Sequence, residues 1–178
     1  MIGNLLRYQA AWLATVLGAA LGHATLGSVV GLLMIFLHLK GASHPRRELS
    51  LVLFSLLLGT LLETMLVTRG LIIYEGTLPF SKVPPWILIL WAAFGATLNG
   101  FMRWFQSRLL LASLLGAVCG PLSWYAGQKL GALVIPDPVS GYLSLALGWA
   151  VCMPLLSWRA RCLAERDLPK AKEDAADA

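Results

Sequence analysis

The stretch SLLLGTLLETMLVTRG, Ser55 to Gly70, decides how this chain is to be read. Leucines dominate it, small residues recur, and up to Thr68 its one charge is the carboxylate of Glu63. Extended back to Leu49, the run becomes twenty residues long. That is about the length a helix needs to cross a ~30 Å hydrocarbon core. The segment is a membrane helix with an acid inside it.

The rest of the chain repeats the pattern. Of its 178 residues, 58% are hydrophobic and 13% charged, with a mean hydropathy of +0.73. A soluble domain carries about 25% charged residues. The expected fold is all-α, a polytopic membrane protein built as a compact bundle of about six transmembrane helices over residues 1–158. Six spans leave no room in this length for a separate soluble domain. Residues 159–178 mix both charge signs with alanines and lack an apolar face, so they read as a disordered cytoplasmic tail.

Helix one is placed at Asn4–Leu21, helix two at Leu26–Leu39 and helix three at Leu49–Thr68. Helix four is placed at Trp86–Gln106, helix five at Leu109–Gln128 and helix six at Val139–Trp158. The first segment has the outline of a signal peptide, ending at Gly22-His23-Ala24, but hydrophobicity resumes at once and it is read as a helix. Helices one and two are short for a bilayer core, so their connection, GHATLG, is expected to be sunk below the outer surface against protein. With both termini inside, eleven of the fourteen Lys and Arg residues fall on the inner side. Basic residues mark the cytoplasmic face. The net charge of +5 is therefore read as topology rather than as a nucleic-acid surface. His44, Arg46 and Arg47 are expected to form an exposed cytoplasmic turn.

Small residues recur at spacing four: Gly27 and Gly31; Ser55, Gly59 and Glu63; Ala92, Ala96 and Gly100; Gly116, Gly120 and Trp124; Ser140, Ser144, Gly148 and Cys152. Membrane helices associate by close packing along such stripes. The three cysteines show no CxxC spacing and read as buried apolar thiols. The histidines and acids show no HExxH-like spacing, and GxSxG, P-loop and GxGxxG patterns are missing. Neither a metal nor a cofactor is expected.

Polar residues at depth form the short list that can carry chemistry. A charge near the bilayer centre costs roughly 2.5–3.5 kcal/mol on insertion scales, which makes Glu63 the strongest functional pointer. It reads either as a group lining a pocket or as an acid hydrogen-bonded across to another helix. Counted from Thr68 at ~1.5 Å per residue, Glu63 lies about 8 Å deep. Counted from Trp86, Asn99 lies about 20 Å deep and Arg103 about 26 Å. Arg103 is therefore expected to snorkel beside Trp104 rather than to pair with Glu63. His23, Tyr125 and Gln128 match the depth of Glu63, while Tyr74 and Glu75 in LIIYEG are placed to cover it. For His23 alone, a role capping a helix end is the plainer reading. Trp86, Trp124 and Tyr125 are expected to form an interfacial belt.

At TLNGFMRW, Thr97 to Trp104, with an acid in the preceding helix and LGAVCGPLSWYAG after it, the chain resembles a known family. It is a family of small bacterial inner-membrane proteins described only as a domain of unknown function, and the resemblance covers roughly Asn4 to Trp158. Members are often encoded near methyltransferases resembling cyclopropane-fatty-acid synthases, so the resemblance implies a role around envelope lipid modification. The family has no established catalytic residues to carry over. The candidate ligand-binding set is Glu63, His23, Tyr125, Gln128 and Tyr74, with Asn99 and Arg103 added from the matching stretch. The leading expectation is an inner-membrane protein that binds an apolar or amphipathic, lipid-derived molecule in an outward-opening pocket, with membrane lipids or another membrane protein as partners. The alternatives are a small-solute permease, a membrane enzyme using Glu63 as acid or base, and a structural membrane partner.

Overall fold

The computed structural model describes residues 2–166. Six α-helices account for most of them: α1 (Ile2–Ala20), α2 (Ala24–Lys40), α3 (Pro45–Thr68), α4 (Pro85–Gly95), α5 (Leu109–Leu130) and α6 (Pro138–Arg166). Proline opens α3, α4 and α6, where its fixed φ suits the first turn and its missing N–H leaves no donor unpaired. α5 stops at Gly131, whose φ of 89° is left-handed and lets its N–H fold back onto the last carbonyls. α6 runs on past Trp158 to Arg166, so the first residues of the expected tail are helical. The remainder of that tail lies outside the described residues.

The surface of the bundle is apolar at helical spacing. Leu49, Leu53, Leu57 and Leu61 of α3 are exposed, as are Leu110, Leu114, Val118 and Leu122 of α5 and Val139, Leu143, Leu147 and Val151 of α6. A soluble monomer does not present stripes of this length to water. The opposite face of α3 holds Ser55, Gly59 and Glu63, all buried, as their spacing predicts. α3, α5 and α6 are long and apolar enough to cross a membrane, while α2 and α4 are apolar but shorter. This is a helical membrane protein.

Small residues set how closely the helices approach. α1 and α2 form a hairpin in which Gly27 lies against the Ala14 carbonyl with no space for a Cβ. α5 and α6 form a second hairpin, with Gly120 against the Trp149 ring. α3 and α4 pack together between them. Two short strands, β1 (Ile73–Tyr74) and β2 (Leu133–Val134), pair antiparallel and tie the α3–α4 loop to the α5–α6 loop. Glu75 N–H donates to the Ala132 carbonyl at 3.0 Å and Trp86 Nε1 to the Glu75 carbonyl at 2.9 Å, which pins this strand pair over one end of the bundle.

The fourth helix departs from expectation. It ends at Gly95 rather than Gln106, and the chain continues through turns to a 3₁₀ segment at Arg103–Ser107. The freed backbone groups are taken up by side chains. Asn4 Nδ2 donates to the Ala96 carbonyl at 2.8 Å, and Asn4 Oδ1 accepts from Phe101 N–H at 3.4 Å. Gln106 Nε2 donates to the Leu98 carbonyl at 3.0 Å, and the Thr97 hydroxyl to the Phe94 carbonyl at 2.6 Å. Irregular backbone at membrane depth survives only when protein satisfies it in this way. The α2–α3 turn departs too. Arg46 is exposed, but Arg47 is half-buried and donates through Nη2 to Asn99 Oδ1 at 2.9 Å.

Candidate functional site

Glu63 is fully buried, at 0% exposure, near the C-terminal end of α3. Its Oε2 accepts from the Tyr74 hydroxyl at 2.6 Å and its Oε1 from Trp91 Nε1 at 2.9 Å. The Tyr74 oxygen in turn accepts from Trp124 Nε1 at 2.7 Å. Four side chains from α3, β1, α4 and α5 thus share one chain of hydrogen bonds. The elements bring them together for local reasons. Gly59, one turn before Glu63, leaves room for the Trp91 ring to lie across α3, and the β1–β2 pairing lowers Tyr74 onto the acid. Burial, and then the neighbouring carboxyl of Glu63, push the Tyr74 hydroxyl well above its ordinary range.

Trp91 and Trp124 also face the other way, into a cleft of about 680 Å³. Its back wall is Trp91, Phe94, Trp124 and Trp149, the last seated against Gly116 and Gly120 of α5, where no Cβ would fit. Trp91 and Trp149 stack at 4.5 Å between ring centroids, and Phe94 and Trp124 stand nearly edge-on to Trp149 at 5.2 and 5.7 Å. Tyr8 and Trp12 of α1, with Phe101, Trp104 and Phe105 beyond the end of α4, complete the walls. The exposed lining residues are Gln9, Trp104 and Cys119. These place the mouth on the side of the bundle, between α1 and α5, where Trp12 Nε1 donates to Ser123 Oγ at 3.0 Å. The cleft therefore opens sideways, on the flank of the bundle. Residues 1–155 match a family described as "Protein of unknown function (DUF2878)".

The chain belongs to the DUF2878 family. No curated protein and no solved structure matches it. The region that matches the DUF2878 family spans the Glu63 network and every residue lining the cleft.

Of the residues singled out in this DUF2878 chain, Glu63 and Tyr74 are joined directly. His23 is exposed at the α1–α2 turn and makes no side-chain cap, so it stands away from Glu63. Tyr125 is 48% exposed, with Lys129 Nζ 5.3 Å from its ring centroid, and Gln128 Oε1 accepts from the Tyr142 hydroxyl at 2.8 Å. These two belong to an α5–α6 surface cluster. Arg103 is exposed and apart from Glu63. Asn99 enters a different network at the opposite end. Its Nδ2 donates to Glu48 Oε1 at 2.8 Å, Glu48 Oε2 lies 3.0 Å from His38 Nε2, and His38 Nδ1 lies 3.3 Å from Asn4 Nδ2. The expected aromatic belt is corrected as well: Trp86 and Trp124 are core residues, at 1% and 5% exposure.

Sequence reading missed the cleft and the Glu48–His38 pair. The Gly116-Gly120-Trp124 stripe carried no signal for the cleft, since its glycines are filled by Trp149 and Met153 of α6. Glu48 did have a signal, as an acid in the first turn of an apolar helix.

Proposed function

We propose that the protein binds an apolar or amphipathic, lipid-derived molecule, which enters from the bilayer between α1 and α5 and lies in the aromatic cleft. The observation that supports this reading is a cavity of about 680 Å³ with aromatic walls and a mouth on the lipid-facing side of the bundle. Ligand sites of a few hundred Å³ lined by apolar and aromatic groups are the ordinary form of a small-molecule pocket. Glu63 lies behind the wall rather than in it. Its two hydrogen bonds act on Trp91 and, through Tyr74, on Trp124, so its role is to position the rings that a ligand would touch. A fully buried acid that does not line the cleft supports this role over proton transfer to a substrate.

The setting belongs to the same proposal. The protein resides in a bacterial inner membrane with both termini cytoplasmic, as an accessory to envelope lipid modification. The basic residues gathered at one set of loops support the orientation. The family resemblance supports the setting.

Cys119 provides the test. It is exposed at the mouth, so a Trp placed there fills the entrance without disturbing the core. Lipid extracted with gently purified wild-type protein should include a species held at near-stoichiometric amount, and Cys119→Trp should lose it while folding normally. An identical lipid complement in the two proteins would overturn the proposal.

A further inference from the structure

We infer that the cleft is regulated by a proton: neutral His38 holds Asn4 in place, and protonated His38 releases the stretch of cleft wall that Asn4 anchors. Its effect on a ligand rests on the cleft as a binding site; the release itself does not. The atoms around Asn4 fix the state of the histidine. Asn4 Nδ2 donates to the Ala96 carbonyl at 2.8 Å and its Oδ1 accepts from Phe101 N–H at 3.4 Å, so the amide cannot turn over without breaking both. The same Nδ2 lies 3.3 Å from His38 Nδ1. An amide nitrogen only donates, so Nδ1 accepts, and a histidine that accepts at one ring nitrogen is neutral. Its hydrogen is then on Nε2, which donates to Glu48 Oε2 at 3.0 Å.

A second proton on the ring goes to Nδ1 and meets the Asn4 amide donor to donor. Glu48 favours that proton, since the charged ring pairs with its carboxylate across the same contact. Two cations oppose it: Arg47 of α3, whose charge acts on Glu48, and Arg7 of α1, which with Tyr8 lines a small cavity shared by Asn4 and His38. On the α4 side the cavity is lined by Ala93, Ala96 and Thr97, none of which titrates. Lys40, two residues on in α2, is exposed. His38 stands in the last turn of α2 with its side chain 13% exposed, within reach of water at this end of the bundle. Histidine is the side chain whose charge changes between about pH 5 and 8. When Asn4 is displaced, the Ala96 carbonyl and the Phe101 N–H lose their partner together. Phe101 and Met102 line the cleft, as do Leu5 and Tyr8 beside Asn4 in α1. Three hydrogen bonds thus join the ring to the cleft wall.

The test is amide hydrogen exchange in phosphatidylcholine nanodiscs at about pH 8 and about pH 5, the interval in which histidine changes charge. It is read as protection factors, which remove the intrinsic pH dependence of exchange. Protection over residues 96–105, Phe101 foremost, should fall about tenfold in acid, the value of two modest hydrogen bonds. It should hold level in α3 around Glu63. Mid-chain dibrominated octadecane, uncharged at either pH, reports on the cleft, because bromine quenches tryptophan on contact and five of the seven tryptophans line it. Its half-quenching concentration should rise severalfold in acid, as fewer molecules hold the wall in place. His38→Asn keeps an acceptor oxygen near the position of Nδ1 and cannot take up a proton, so both responses should vanish. His44→Asn, at an exposed residue of the same end, should keep them. Equal protection at the two pH values in the unaltered protein, or a fall that persists in His38→Asn, would overturn the switch. Protection that falls while quenching stays level would overturn its coupling to the cleft. No quenching at either pH would overturn the cleft reading and leave the release to stand on exchange alone. If His38→Asn does not fold, nitrogen NMR of the histidine rings in unaltered protein decides. His38 Nδ1 should be bare at the alkaline pH and protonated at the acid one, and a hydrogen on Nδ1 at the alkaline pH would overturn the proposal.

Discussion

Both carboxyl oxygens of Glu63 are used as acceptors, one for Trp91 and one for Tyr74. Tyr74 must donate to the acid because its own oxygen already receives the Trp124 N–H. A glutamine has the same shape but only one acceptor. With its oxygen toward Trp91, the Tyr74 hydrogen loses its acceptor. With its oxygen toward Tyr74, its amide meets the Trp91 N–H donor to donor. Either way one buried donor is orphaned, at a cost of about 1–3 kcal/mol. Glu63→Gln should therefore lower the thermal midpoint measurably, and Glu63→Leu, which orphans both donors, should lower it further. Equal midpoints for wild type and Glu63→Gln would show that the network adds nothing to stability. The sequence made Glu63 conspicuous, since an acid amid leucines cannot face lipid without a partner. Of the partners, it pointed to Tyr74 but not to Trp91. Trp91 was one of several indoles, and its hydrogen bond depends on the notch that Gly59 leaves in a different helix.

At the scale of elements, the telling case is the segment after Gly95. A hydropathy profile reads Trp86–Gln106 as one continuous run because Ala, Gly, Phe and Met are apolar in helix and in turn alike. What breaks the helix is Asn4, ninety-two positions earlier, whose amide replaces the helical partner of the Ala96 carbonyl. Gly100 leaves room for that side chain, with no space there for a Cβ. The same segment carries Phe101 and Met102 into the cleft, so the break shapes the proposed binding site. Asn4→Ala should orphan the Ala96 carbonyl and the Phe101 N–H at about 1–3 kcal/mol each. Hydrogen exchange should rise over residues 96–105 and change little in α3. Faster exchange spread evenly over the bundle would show that packing holds the break and not Asn4. The α2–α3 turn carries a similar lesson. Arg46 and Arg47 look alike in a basic loop, but only Arg47 reaches Asn99.

For the whole molecule, the distribution of Lys and Arg leads to an expectation about topology. A phosphatase fused at Ala178 should be inactive and one inserted at Gly76 active, because the loop at Gly76 lies at the opposite end of α3 from His44, Arg46 and Arg47. The reverse pattern would refute the orientation. Class, helix number and the inward stripe of α3 followed from the sequence by itself. They depend on sums over many residues, namely the apolar length needed to cross a bilayer and the spacing of small and polar side chains along one helix. Those sums survive errors at any single position. The site did not follow in the same way. Gly116 and Gly120 close an interface with Trp149 and Met153 of α6, and the cleft beside it depends on how α1 and the segment after α4 stand against α5. Whether Trp124 meets lipid headgroups or a buried tyrosine depends on a two-residue strand pairing across the end of the bundle. Such contacts join residues distant in the chain through single side-chain geometries, so no local pattern carries them. Only the tertiary structure decided them.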